Sequence, residues 1–383
     1  MALDSDTLQQ LLDTLTRFVN ERLRPLESKT AADDRIPQAV VDEMKALGLF
    51  GLTIPEAYGG LGLNMQEEAA VARVFGRTSP AFRSAFGTNV GIGSQSLVID
   101  GTEDQKQFYL PKMATGEIVG SFCLSEPEAG SDAASVRTTA VKDGNDYLIN
   151  GTKRYITNAP WADLFTVFAR TDASVKGARG VSAFLIDRKT PGVSLGVPYR
   201  KMGQQGAPVC DVIFEDVRVP VDKLLGGAEN LGFITAMKVL DKGRLHISAL
   251  SVGVAERLIE DATRYAIERK QFNQPIAEFQ MVQAMLADSQ TEMYAAACMV
   301  EETARRRDNG EAVNALAASC KLFATEMVGR VADRAVQIFG GAGYIEDYGI
   351  ERFYRDVRLF RIYEGTSQIQ QTVIAKDMIK RFS

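Results

Sequence analysis

Histidine is nearly absent from this chain of 383 residues; His246 is the single copy. A zinc centre built on several histidines, or a choice of Ser-His-Asp triads, therefore has nothing to draw on. His246 itself reads as a packed helix residue or pocket wall rather than a catalyst. Cysteine is sparse too: Cys123, Cys210, Cys298 and Cys320 form no CxxC pair and have apolar neighbours. They read as reduced core thiols, with no metal site and no disulfide framework. No apolar run reaches the ~18 residues of a membrane span. Basic charge is not in excess: 44 Lys and Arg against 49 Asp and Glu leave a net −5, so no bulk field points to nucleic acid or an anionic membrane. The start, Met1-Ala2-Leu3-Asp4-Ser5-Asp6, is acidic where a signal peptide would be basic. The expectation is a bacterial cytoplasmic protein, or a mitochondrial matrix protein after processing. No GxxxxGK[ST] phosphate loop is present. The glycines of Gln337-Ile338-Phe339-Gly340-Gly341-Ala342-Gly343-Tyr344 follow a helical pattern rather than a strand and are spaced GGxG, so a Rossmann reading fails.

With 45% hydrophobic and 24% charged residues, the chain has the composition of an ordinary globular protein with two or three domains. Residues 1–119 read as a helical domain. Leu8, Leu11, Leu12, Leu15, Val19 and Leu23 keep three-and-four spacing, and Pro25 is expected to end that run. Further helical patterns cover 66–75, 89–99 and 103–110. Residues 120–229 read as a β domain. Residues 147–157 suggest strand, Asn150-Gly151 turn, strand, and 164–169, 181–186 and 212–214 are short strand candidates. No helix of useful length intervenes, so the expected form is an antiparallel barrel or sandwich. Residues 230–383 return to helical stripes (Leu258, Ile259, Ala262, Tyr265; Phe279, Val282, Leu286, Met293) and suggest a four-helix-bundle-like domain. The stretch 293–300 is apolar or small on more than one face, which suggests burial in an oligomer. The fold class expected is α+β, in the order helical, β, helical.

Three stretches could carry chemistry. Tyr363-Glu364-Gly365-Thr366-Ser367-Gln368 sets a carboxylate in an apolar C-terminal region, where lost hydration raises a pKa and suits it to accept a proton from carbon. The same residues could be a helix start capped by Thr366 or Ser367. The stretch Phe122-Cys123-Leu124-Ser125-Glu126-Pro127-Glu128-Ala129-Gly130-Ser131-Asp132 is a strand running into a Gly/Ser loop, either a turn or a cradle for a heterocycle or phosphate. Arg269-Lys270-Gln271-Phe272, with Gln280 beyond, could clamp a phosphate or ring, or form a surface charge pair with Glu268.

Together these stretches, with Gly340, Gly341, Gly343, Tyr344, Asp347, Arg352 and Asp356, resemble the acyl-CoA dehydrogenase family along essentially the whole chain. The resemblance implies FAD and α,β-oxidation of an acyl-CoA thioester, with electrons passed to an electron-transfer flavoprotein. It implies that Glu364 takes the α-proton while the β-hydride goes to flavin N5. Phe122, Leu124, Ser125, Gly130 and Ser131 would line the flavin, with Tyr155, Ile156 and Thr157 against its ring system; many members have tryptophan at Tyr155. Arg269, Phe272 and Gln280 would reach a flavin across a subunit interface of a homotetramer, a dimer of dimers. Gln337, Gly340 and Gly341 would meet its adenine and pyrophosphate end, and Thr366 and Gln368 would complete the site. Ser131, Tyr363 and Gly365 are implied on the substrate side, and Asp241 and Arg244 would contact the CoA moiety or steady the base loop. Some members carry the base at the position of Gly243, where glycine cannot serve.

The segment Phe82-Arg83-Ser84-Ala85 is similar to one in glutaryl-CoA dehydrogenases whose arginine pairs with a distal carboxylate. Arg83 could do this, or face solvent or an internal acid; Gly87-Thr88-Asn89-Val90-Gly91 departs from that pattern. Two other classes share the fold. A flavin oxidase of the nitroalkane type has aspartate at Glu364. A catalytically idle, DNA-associated relative would need a basic C-terminal region, and Arg305-Arg306-Arg307 is only a short run on a mixed helix.

Overall fold

The computed structural model describes residues 3–175 and 177–383. Helix α1 (Ser5–Phe18) begins where the Asp4 carboxylate accepts from the Thr7 amide at 2.9 Å, and it buries Leu15 and Phe18. Pro25 does not end the rod, contrary to expectation. The helix widens into a π-turn at Val19–Leu23, tightens into a 3-10 turn at Arg24–Leu26 and resumes as α2 (Glu27–Asp33). Proline is tolerated there because the first turn of a helical segment needs no amide donor. The domain continues with α3 (Gln38–Ala46), α4 (Met65–Gly76), α5 (Pro80–Thr88), α6 (Ser94–Asp100) and α7 (Glu103–Thr115). Capping boxes start α4 (Asn64 with Glu67) and α7 (Thr102 with Gln105).

The middle of the chain forms a seven-stranded sheet. Its strands are β1 (Gly120–Cys123), β2 (Thr139–Asp143), β3 (Asp146–Thr157), β4 (Leu164–Arg170), β5 (Val181–Asp187), β6 (Val193–Leu195) and β7 (Val209–Pro220). They lie in the order β1-β4-β2-β3-β7-β6, with β5 also paired to β4. The sheet is mostly antiparallel, as expected, with β1 running parallel to β4 and β2 meeting β4 in parallel at one position. One expectation needs correction. Asn150-Gly151 is not a turn. Residues 146–157 form one strand clamped between β2 and β7, and the ladder to β7 slips between Ile149 and Gly151. Pairing on both sides overrides the local turn preference and leaves a bulge. A Cβ at Gly151 would lie 2.5 Å from Thr138 Oγ1, which accounts for glycine there. The hairpin turn is instead at Gly144, where φ is +63°.

The C-terminal part holds α8 (Gly232–Glu268), a two-stranded clip of β8 (Lys270–Gln271) and β9 (Gln274–Pro275), α9 (Gln280–Asp308), α10 (Asn314–Phe339), α11 (Ile350–Val357) and α12 (Ser367–Phe382). One apolar core runs from α1 and α3–α5 into α8–α10 and α11. A second joins α6 and α7 to the sheet, and a third fills the sheet's other side.

Helices α4 and α8 cross with glycine on both sides of the contact. A Cβ on Gly253 would overlap the Arg73 carbonyl oxygen, and one on Gly76 would overlap that of Leu250. This near-contact of backbones fixes the registry of Glu68 on α4 with Lys242 and His246 on α8. Gly253→Ala should force the helices apart and cost about 1–3 kcal/mol. The check is a lowered midpoint of thermal unfolding; an unchanged midpoint would show that the crossing accepts a methyl group.

Candidate active site

A 3-10 turn at Arg358–Arg361 leads from α11 into Tyr363, Glu364 and Gly365, and Thr366 then caps α12 by accepting from the Ile369 amide at 3.3 Å. The cap and the candidate base are thus separate residues. Glu364 and Gly365 are both left-handed, at φ +55° and +87°. For glutamate that conformation costs roughly 1–2 kcal/mol, so neighbours must hold it. Lys321 Nζ donates to the Gly365 carbonyl at 2.7 Å, and Gln370 Nε2 donates to the carbonyls of Glu364 (3.1 Å) and Gly365 (2.9 Å). Gly365 cannot carry a side chain, because its Cβ would lie 2.6 Å from Gln370 Nε2.

This turn aims the Glu364 carboxylate at α8. A Cβ on Gly243 would sit 2.6 Å from Glu364 Oε2, so the bare backbone at 243 makes room for the carboxylate. Oε2 is sealed from solvent and has no hydrogen-bond partner. An unsatisfied buried carboxylate oxygen is costly. Burial pushes the Glu364 pKa up; Arg83, Arg244 and Lys321, in that order, pull it down without cancelling the rise. The Glu364 amide donates to nothing among the described residues. Burial lowers the Lys321 ammonium to about 8.

Glu364, Tyr363, Gly243, Val239, Thr157 and Arg83 line one cavity between the N-terminal helices, the sheet and α8. Its floor is charged. The Arg83 side chain is 8% exposed, and its Nε donates to His246 Nε2 at 2.8 Å. His246 Nδ1 lies 2.8 Å from Glu68 Oε1, and Lys242 Nζ reaches Glu68 Oε2 (3.1 Å) and Gln95 Oε1 (3.2 Å). Burial would raise Glu68, but Lys242 and then His246 outweigh it and hold it at about 2. Burial, then Arg83, lowers His246 to about 4, so the ring is neutral near pH 7.

Three family models together match most of the chain: the acyl-CoA dehydrogenase N-terminal domain over residues 5–117, the middle domain over 121–217 and the C-terminal domain over 230–379. The chain belongs to the acyl-CoA dehydrogenase family. It is 43% identical over 345 residues to the caffeyl-CoA reductase-Etf complex subunit CarC of Acetobacterium woodii, covering 90% of each. It is 41% identical over 372 residues to a 3-(aryl)acrylate reductase of Clostridium sporogenes, covering 97% of this chain and 98% of that protein. Among solved structures, butyryl-CoA dehydrogenase of Megasphaera elsdenii superposes with a TM-score of 0.94 at 33% identity, over 99% of this chain and 100% of that one. Acyl-CoA dehydrogenases are flavin-dependent oxidoreductases acting on CH–CH bonds.

The remaining expected site residues are spread around that cavity and over the surface. Phe122 and Leu124 are buried at the end of β1, Ser125 is partly buried, and Gly130 and Ser131 are exposed. The Ser125, Ser131 and Thr157 hydroxyls have no hydrogen-bond partner among the described residues, and a Cβ on Gly130, Gly340 or Gly341 would meet open space. Free donors beside bare backbone are what a flavin with its pyrophosphate needs, so the residues present fit the group. Tyr155, at φ +59°, is 63% exposed, with its ring 5.3 Å from that of Tyr199. The Ile156 side chain is buried in the sheet core and offers only backbone to a ligand. Arg269, Phe272, Gln280, Gln337, Gly340, Gly341 and Gln368 are exposed and do not line the cavity. Arg244 is buried and pairs with Asp241 at 2.5 Å, while Asp241 also accepts from Asn314, so this pair acts on Glu364 from behind.

Several contributors escaped sequence reasoning. Lys321 and Gln370 hold the base turn. Glu68 and Lys242 complete the cavity floor. Lys153 is fully buried, 2.7 Å from Glu126 and 3.3 Å from the Leu124 carbonyl, and Glu126 also accepts from the Arg137 and Thr138 amides. This pair fixes the loop at 124–131. A lone lysine inside an apolar helical stretch (Ser319-Cys320-Lys321-Leu322-Phe323) was the available signal for Lys321. Arg83 is the largest of the charges that hold Glu364 down. A base works as carboxylate, so activity falls below its pKa. Arg83→Met should therefore move the acid limb of the kcat/KM profile for butyryl-CoA to higher pH; a stationary limb would show that Arg83 does not act on Glu364.

Proposed function

We propose that this chain is an FAD-dependent acyl-CoA dehydrogenase in which Glu364 takes the α-proton of a bound thioester, giving the trans-2-enoyl-CoA. One observation carries this reading: the partner-free Glu364 Oε2, buried in the cavity against Gly243. Filling the cavity with an acyl chain would keep water out and hold the carboxylate desolvated. The free Glu364 amide is available to the thioester carbonyl, where it would stabilise the enolate formed as the proton leaves. FAD, when bound, supplies the acceptor for the β-hydride at N5. Phe122, Leu124, Ser125, Gly130, Ser131, Tyr155, Thr157, Thr366, Gln368 and the backbone of Ile156 would hold it. Ser131, Tyr363 and Gly365 would meet the substrate, with Asp241 and Arg244 steadying the base turn.

Arg269, Phe272, Gln280, Gln337, Gly340 and Gly341 would serve a flavin across a subunit interface. Phe272 is 88% exposed in the single chain, and Met281 and Tyr344 are exposed too; large apolar side chains left in water favour burial against a second copy, in keeping with a homotetramer. An electron-transfer flavoprotein would receive the electrons; a relative is named as a subunit of an Etf complex. The setting would be bacterial cytoplasmic acyl-CoA metabolism, such as fatty acid β-oxidation. By microscopic reversibility the same groups would serve enoyl-CoA reduction, the direction in the names of two relatives.

A second reading concerns the substrate's far end. Among the described residues no carboxylate lies within ion-pairing distance of the buried Arg83 guanidinium, and an unpaired buried charge is costly. A distal carboxylate, as in glutaryl-CoA, would supply the anion.

Glu364→Gln should keep bound flavin, seen in its absorbance, yet lose acyl-CoA oxidation by several orders of magnitude. Flavin bleaching by butyryl-CoA at near wild-type rate in that variant would sink the assignment. Arg83→Met should raise KM for glutaryl-CoA selectively in steady-state assays; equal effects on butyryl-CoA and glutaryl-CoA would remove the second reading.

A further inference from the structure

His246 has a partner on each ring nitrogen, and the two partners decide its tautomer. Arg83 Nε–H can only donate, so His246 Nε2 must present its lone pair, at 2.8 Å. The proton then sits on Nδ1 and is donated to Glu68 Oε1, also at 2.8 Å. Glu68 is fixed in turn by Lys242 at 3.1 Å. The chain of contacts spans α4, α5 and α8, and the glycine crossing of α4 with α8 sets its spacing. Gly87, one turn beyond Arg83 on α5, seats the arginine from the other side: a Cβ there would lie 2.5 Å from Arg83 Nε and 3.0 Å from Cζ.

These contacts use only Nε. Both terminal Nη groups lack a partner among the described residues, and neither is among the side-chain atoms sealed away without one. The charges are uneven as well. Lys242 offsets Glu68, His246 is neutral, and Arg83 is left with no ion pair, acting on Glu364 only through space.

We propose that His246 is a positioning residue that sets specificity for an acyl-CoA bearing a second, distal carboxylate, by clamping Arg83 so that its two Nη groups face the cavity. The clamp presents the guanidinium edge in the orientation a carboxylate accepts through two parallel hydrogen bonds. Without the Nε contact the side chain is free to rotate, and that pairing is lost while the cationic charge stays. This inference rests on the distal-carboxylate reading of Arg83.

The test uses the flavin-loaded enzyme, with glutaryl-CoA and butyryl-CoA as substrates. In His246→Phe the selectivity, kcat/KM for glutaryl-CoA over butyryl-CoA, should fall about tenfold or more, through KM for glutaryl-CoA. His246→Gln places an amide oxygen near the Nε2 position and should restore most of that loss. It also keeps the test alive if the phenylalanine variant does not fold, as judged by flavin absorbance. Parallel loss on both substrates, or no rescue by glutamine, would overturn the clamp and leave His246 a wall residue. Arg83→Met separates the two levels. If it leaves selectivity unchanged, or if the wild type does not oxidise glutaryl-CoA, the distal-carboxylate reading itself fails. If Arg83→Met abolishes selectivity and His246→Phe does not, only the clamp fails.

Discussion

One carboxylate oxygen, Glu364 Oε2, is kept out of water with no hydrogen bond, and the site is organised around holding it there. Three features meet that demand. The backbone turns left-handed at Glu364 and Gly365; Lys321 and Gln370 grip the two carbonyls of that turn; and α8 presents a glycine where any side chain would collide with the carboxylate. Strain in the turn and loss of hydration both raise the energy of the free site. They persist because residues on α10 and α12 over-determine the local geometry.

Electrostatics then sets the proton affinity of that carboxylate. Desolvation drives the Glu364 pKa up while Arg83, Arg244 and Lys321 oppose it, and no ion pair ties the carboxylate down. The arrangement works because none of these cations touches the carboxylate. Arg244 donates to Asp241, Lys321 to the Gly365 carbonyl and Arg83, through Nε, to His246. Each contributes field without a hydrogen bond to the carboxylate. A direct pair would lower its pKa further.

Helix α8 links the layers. Its N-terminal half faces the cavity through Val239, Lys242, Gly243 and His246, and its middle crosses α4 at Gly253. The loop at residues 124–131 is set independently by the buried Lys153–Glu126 pair beneath it. The cavity itself draws on both layers: α4, α5 and α8 supply much of its lining, and the sheet supplies Thr157 and Val209.

Much of this was legible in the chain. Apolar spacing marked the helices, and alternation with Gly and Pro punctuation marked most strands. The Glu364 segment and the Gly/Ser loop were each visible as local patterns with a chemical reading beside a cap or turn, and Gly243 through the family resemblance. Local pattern failed where partners lay far away in sequence. Asn150-Gly151 reads as a turn, but pairing with β2 and β7 on both sides makes it a bulge. Pro25 reads as a stop, but the rod re-forms beyond it. Lys321 and Glu68 carry no motif at all. The sequence by itself determined the order of the layers, because periodicity is a local property, and through its family resemblance it pointed to Glu364 as the candidate base. Tertiary structure alone decided which cations surround that base without touching it, and that Arg83 lies at the cavity floor on His246, because those contacts join helices up to 163 residues apart.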